Sequence, residues 1–237
     1  MPLADDVTVI LTTSYNGACP MTNLIEATVS SFGYVPGLTC CKLIVVCDGF
    51  RVSERMRTKA GRLLPECEAP YTAYIEALRQ LAERERRQGS SSAWAHAEVL
   101  ALEGHHGFAW AIKAALESGL VRTRHVLIVQ HDRSFMRSFD LARAVTCMLS
   151  DERVRYLLLP TRSTHHHAQT IFGRTGVRLP HITVNDAKLL QLGFWWDSTH
   201  LACAEHYLNF VFKQRCVRRG TFPEDTLGRQ MLDAIKE

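Results

Sequence analysis

Carboxylates stand at three places where this chain passes from apolar to polar residues. Asp48 ends the run Leu43-Ile44-Val45-Val46-Cys47 and is followed by Gly49. Asp132 follows Val126-Leu127-Ile128-Val129 by way of Gln130 and His131. Glu224 and Asp225 follow Phe222-Pro223, ahead of a helical pattern. A carboxylate after a buried strand can accept from a ribose hydroxyl or a base N–H, or it can cap a turn. Asp132 can likewise bind a hard cation that bridges two phosphates, or cap the segment behind it. Pro-Glu-Asp is a common helix start, and it also suits a general base near a helix N-terminus.

Other residues add chemistry of their own. Trp195-Trp196-Asp197 with His200 reads either as core packing or as a platform on which a sugar ring stacks while its hydroxyls bond to Asp197. His165-His166-His167 suggests metal, but adjacent side chains diverge, and no Cys/His spacing rule supports a zinc site. The eight cysteines include no C-x-x-C pair and lie mostly in or beside apolar runs, so they read as small buried hydrophobes in a reducing compartment.

These residues need a scaffold. With 237 residues, 46% of them hydrophobic, the chain suits one large core and not a disordered protein. Lys and Arg exceed Asp and Glu by 28 to 24, too thin a margin for a dedicated nucleic-acid surface. The apolar runs are short for a membrane span, and Asp5 and Asp6 stand where a signal peptide would be basic and then apolar. A soluble, cytoplasmic protein is expected. Buried strands are expected at Val7–Leu11, Leu43–Cys47, Val126–Val129 and Tyr156–Leu159, with another at Ile182–Val184. Helical patterns cover Met21–Phe32, the stretch around Tyr71–Leu81, Trp94–Glu117, Phe139–Leu149, Leu201–Gln214 and Thr226–Ile235. Gln88–Ser92 reads as a surface loop. Alternating strands and helices predict an α/β domain whose mostly parallel central sheet is flanked by helices. Ligands in such folds bind beyond the carboxyl ends of the strands, which is where Thr12–Asn16, Asp48-Gly49 and His131-Asp132 fall. Neither G-x-G-x-x-G nor a P-loop is present, which argues against a nicotinamide dehydrogenase and a P-loop NTPase.

Taken in order, these motifs resemble the GT-A glycosyltransferases, closest in style to family 2. A first strand leads into Thr12-Thr13-Ser14-Tyr15-Asn16, and a second ends at Asp48-Gly49. The Gly- and Ala-rich Glu103–Ala111 precedes the strand ending in Gln130-His131-Asp132, and Pro223-Glu224-Asp225 follows near the end. The resemblance implies one Rossmann-like domain, with a nucleotide-binding half over about 1–135 and an acceptor half over about 136–237. It implies an enzyme that moves a sugar from a nucleoside diphosphate donor to a hydroxyl acceptor by inverting displacement. Thr12, Tyr15, Asp48, Gln130 and His131 would hold the nucleotide, and Asp132 a divalent cation (Mn or Mg). Asp225 would act as base beside Glu224, and Trp195, Trp196, Asp197 and His200 would shape the sugar or acceptor side. Basic groups such as Arg133 and Arg162 would supply further charge for the leaving diphosphate.

The departures are specific. The family's D-x-D motif reads Gln130-His131-Asp132, so an amide replaces the first carboxylate. No histidine follows His206, where many members carry a late metal ligand, and Asp48-Gly49 is followed by Phe50, not Ser. A sugar nucleotidyltransferase, which normally needs a basic glycine-rich loop after the first strand, is one alternative. A non-catalytic nucleotide- or glycan-binding module of the same fold is another.

Overall fold

The computed structural model describes residues 2–162 and 164–236. Its strands are β1 (Val7–Thr13), β2 (Lys42–Cys47), β3 (Arg51–Val52), β4 (Arg62–Leu63), β5 (Ala97–Ala101), β6 (His125–Gln130), β7 (Tyr156–Leu158), β8 (His181–Val184), β9 (Ala187–Leu190) and β10 (His200–Cys203). The α-helices are α1 (Leu3–Asp6), α2 (Asn23–Ser30), α3 (Glu68–Arg87), α4 (Gly107–Glu117), α5 (Leu141–Ser150), α6 (His167–Thr175), α7 (Ala204–Asn209) and α8 (Pro223–Lys236).

Six strands form the central sheet in the order β5-β2-β1-β6-β10-β7. The pairings β5–β2, β2–β1 and β1–β6 are parallel, and β10 alone runs against both its neighbours. The strands β1, β2 and β6 are buried along almost their whole length because both faces are covered. Alternation divides their side chains: Val7, Val9 and Leu11 join the core under α2, α3 and α5, while Ile10 joins the core under α4, α7 and α8. Val45 and Leu127 follow the first set, and Ile44, Val46, Val126 and Ile128 the second. The expected fold class is therefore the observed one.

Three local expectations need correction. Ala97–Ala101, read within a long helix, is the edge strand β5, paired in register with Leu43–Cys47. Its Ala-Glu-Val-Leu-Ala sequence has good helix formers, and the free edge of β2 overrides that preference. Leu201–Cys203, read at the start of a helix, belongs to strand β10, wholly buried between β6 and β7. Three apolar residues are too few for periodicity to separate strand from helix. The Ile182–Val184 strand exists but lies outside the central sheet, in the β8–β9 hairpin.

Candidate functional site

Beyond the carboxyl ends of β1, β2 and β6 lies a cavity of about 230 Å³. Thr12, Tyr15, Asp48, Gln130 and His131, from three separate strand ends, all line it. Its aromatic wall is Tyr15, Phe50 and Tyr71. Tyr15 and Phe50 each meet the Tyr71 ring edge to face, with centroids 6.1 and 5.7 Å away. Such a wall offers both faces and edges to a flat heterocycle. A hydrogen bond with Cys67, with burial added, pushes the Tyr15 phenol up to about 12, so it stays a neutral donor. Burial holds the His131 imidazole below its ordinary value, so it faces the cavity uncharged at neutral pH.

Asp48 occupies the expected place with its oxygens already engaged. Oδ1 accepts from the His106 N–H at 2.7 Å and Oδ2 from the Gly107 N–H at 2.9 Å. The His105 Nδ1 lies 3.0 Å from Oδ2, and because a carboxylate only accepts, Nδ1 carries the proton. Asp48 thus caps the start of α4 and fixes the loop before it. The next residue explains the Asp-Gly pair: a Cβ on Gly49 would lie 2.5 Å from the Gly104 nitrogen and the Leu102 oxygen. Gly107, at φ +74°, meets Gly220 just as closely, with its would-be Cβ 2.7 Å from the Gly220 Cα. Gly220 in turn donates its N–H to the His106 oxygen at 2.7 Å. Three loops are therefore stacked backbone on backbone around the cavity mouth.

The carboxylates of α8 stand beside this cavity, not in its lining. Phe222, stacked on Phe108, closes one wall just before the helix begins. Glu224 and Asp197 hold one another: the Asp197 N–H donates to Glu224 Oε2 at 3.2 Å, and the Glu224 N–H to Asp197 Oδ2 at 3.1 Å. Trp195 Nε1 donates to Asp197 Oδ1 at 3.2 Å, and Gln130 Nε2 to the Asp197 carbonyl at 2.8 Å. Burial pushes the Asp197 carboxyl up to about 8; the Glu224 N–H opposes this and the nearby Glu224 charge adds to it. Asp225 is exposed, and its side chain has no hydrogen bond or ion pair among the described residues.

The expected sugar platform needs correction. Trp195 is 4% exposed and His200 wholly buried; both pack with Tyr156 and Tyr207. His200 bonds to the Ser198 carbonyl and the Tyr207 hydroxyl, and burial lowers its pKa to about 4. Both rings are core because β10 lies inside the sheet. Asp197, 3% exposed, is closed off with them. Trp196 is half-buried and donates its Nε1–H to His167 Nδ1. His165 and His166 are exposed.

The residues present do not fit a resident divalent ion. Asp132 is an exposed carboxylate whose neighbour Arg133 lies 3.9 Å away. Gln130, in place of a second carboxylate, is tied to Asp197. No three His, Cys, Asp or Glu residues converge on a metal position among the described residues. Arg133 and Arg162 do not line the cavity. The features that sequence reasoning missed are Phe50, Thr58, Lys59, Gly61, Tyr71 and His105, all of which do. The missed signal was the density of Arg and Lys between residues 51 and 62.

No known family profile matches the chain, and no curated protein matches its sequence. Among solved structures, it superposes on the mannosyltransferase PcManGT from Pyrobaculum calidifontis, determined with GDP-Man and Mn²⁺, at TM-score 0.50 and 14% identity. That match covers 86% of this chain and 46% of the mannosyltransferase. S. aureus TarS residues 1–349 align at TM-score 0.46 and 15% identity, over 86% of this chain and 48% of that one. The chain thus spans about half the length of either protein. The 4-diphosphocytidyl-2C-methyl-D-erythritol synthase of Anaerococcus prevotii aligns at TM-score 0.45 and 9% identity, over 99% and 85%. No helix among the described residues is long and apolar enough to cross a membrane. The likeness to the mannosyltransferase shows the fold: this chain has the α/β architecture of the GT-A kind.

Proposed function

We propose that the protein is a glycosyltransferase that moves a sugar from a nucleoside diphosphate donor to a hydroxyl acceptor with inversion. One observation carries the reading. A cavity with an aromatic wall lies across the carboxyl ends of β1, β2 and β6, and its far wall leads within three residues into the paired acids that open α8. The first is where a nucleotide binds in this class of sheet, and the second can serve an acceptor. The nucleotide half is about 1–135 and the acceptor half about 136–237. Thr12, Tyr15, Gln130 and His131 would contact the nucleotide, while Asp48 shapes the loop around it.

In the reaction the acceptor oxygen attacks the anomeric carbon and its proton passes to Asp225. The bond from that carbon to the diphosphate oxygen breaks, and the nucleoside diphosphate leaves with the electron pair. Two points favour Asp225 over Glu224 as base: its carboxylate is open to an incoming hydroxyl, while Glu224 is engaged by Asp197. The first test is thermal stabilisation by ADP, GDP, UDP and CDP. Ligand at a hundred times its dissociation constant should add about 2.7 kcal/mol. Donor hydrolysis or sugar transfer must then follow with the matching nucleotide sugars. Binding without any turnover would leave a binding module and sink the enzyme reading.

A further inference from the structure

The segment Arg51–Leu63 carries Arg51, Arg55, Arg57, Lys59 and Arg62 against the single acid Glu54. Its net charge of +4 in thirteen residues equals that of the whole chain. The segment is held as a compact flap by the parallel β3–β4 pair and by an Arg57–Arg62 bridge. None of its five cationic side chains has a hydrogen bond or ion pair among the described residues, and all five residues are exposed. Crowded unpaired cations repel one another, and an anion bound among them relieves that repulsion.

The flap also reaches the cavity, where Thr58, Lys59 and Gly61 are part of the lining. Gly61 packs so tightly on His105 that a Cβ there would meet the imidazole at 2.1 Å. His105 gives its Nδ1–H to Asp48, and its buried Nε2 has no partner among the described residues. A buried ring nitrogen without a partner is costly unless a ligand completes it. The cavity thus has a cation and an orphaned imidazole nitrogen on one side, and no built metal site.

We propose that Lys59, set by the basic flap against His105, neutralises the donor's diphosphate in place of a resident divalent ion. This rests on the nucleotide-sugar reading. A lysine ammonium supplies charge to the phosphoryl oxygens, and the His105 ring, held by Asp48 and packed on Gly61, fixes the place of the flap that carries Lys59.

The test is calorimetric titration of the full chain with ADP, GDP, UDP and CDP, and with the four nucleosides, in EDTA and in manganese. The diphosphate that binds should do so in EDTA within about twofold of its affinity in manganese. Lys59→Ala should weaken it about tenfold and leave its nucleoside unchanged. Arg55→Ala removes the same charge from the flap outside the lining and should have a much smaller effect. Binding that vanishes in EDTA and returns with manganese overturns the proposal, as does equal weakening by Lys59→Ala and Arg55→Ala. If no nucleoside and no diphosphate binds with or without manganese, the nucleotide-sugar reading itself fails, and the proposal falls with it.

Discussion

Asp197→Asn should flatten the pH dependence of folding stability. The Asp197 carboxyl is 3% exposed and is pushed from 3.8 up to about 8. Above about pH 4 the unfolded chain has lost this proton while the folded chain keeps it. The stabilisation is therefore complete below the unfolded value and is lost as pH rises toward about 8. Each pH unit in that window changes the folding constant about tenfold, so from about pH 6 to pH 7.5 the loss is about 2 kcal/mol. Depressed histidines such as His200 act in the opposite sense, losing stability as pH falls below about 6.5, and they are common to both proteins. The difference between wild type and variant isolates Asp197. The absolute stability of Asp197→Asn is a poor guide, because its amide must turn an N–H toward either Trp195 or the Glu224 backbone. Urea unfolding at several pH values gives both slopes. Parallel profiles for the two proteins would refute the assignment.

Other expectations concern the base and the loops. Asp225→Asn should lower kcat by about 10²–10⁴ with donor affinity nearly unchanged, because the amide keeps the shape and loses basicity; steady-state transfer with near-wild-type turnover would remove Asp225 from the mechanism. Asp48→Ala should cost about 2–4 kcal/mol in urea unfolding, because the His106 and Gly107 N–H groups lose their acceptor; unchanged stability would show that the cap is dispensable. Gly107→Ala should cost about 1–3 kcal/mol, for its positive φ and its contact with Gly220, and should weaken nucleotide binding in the same titrations.

Legibility in the sequence followed length and apolarity. The Val7, Leu43 and Val126 strands could be read because each is a long apolar run with branched residues, and their ends marked the cavity. The β5 and β10 strands could not, since Ala97–Ala101 is held by its neighbour and His200–Cys203 is a buried four-residue insert. The same burial removed Trp195 and His200 from the surface, a fact no local pattern encodes. Asp48 was found by position, whereas its capping of α4 depends on a loop 58 residues away. Lys59 is not legible in the sequence because a cation on a polar segment has no periodicity; only its place in the cavity lining makes it informative.

The stacked loops leave a mark on how this site can vary. Where a large side chain presses on a small one, a second substitution can trim the large one and restore the fit. Gly49 against Gly104, and Gly107 against Gly220, offer nothing to trim, because both partners already lack a side chain. A Cβ on Gly49 or Gly107 must be absorbed by moving backbone that also shapes the cavity mouth. Drift is therefore open among the flap cations outside the cavity lining, Arg51, Arg55, Arg57 and Arg62, one charge at a time, and closed at Gly49 and Gly107. In a library of random variants selected for activity, second-site suppressors should arise readily for flap substitutions and fail to arise for Gly49 and Gly107.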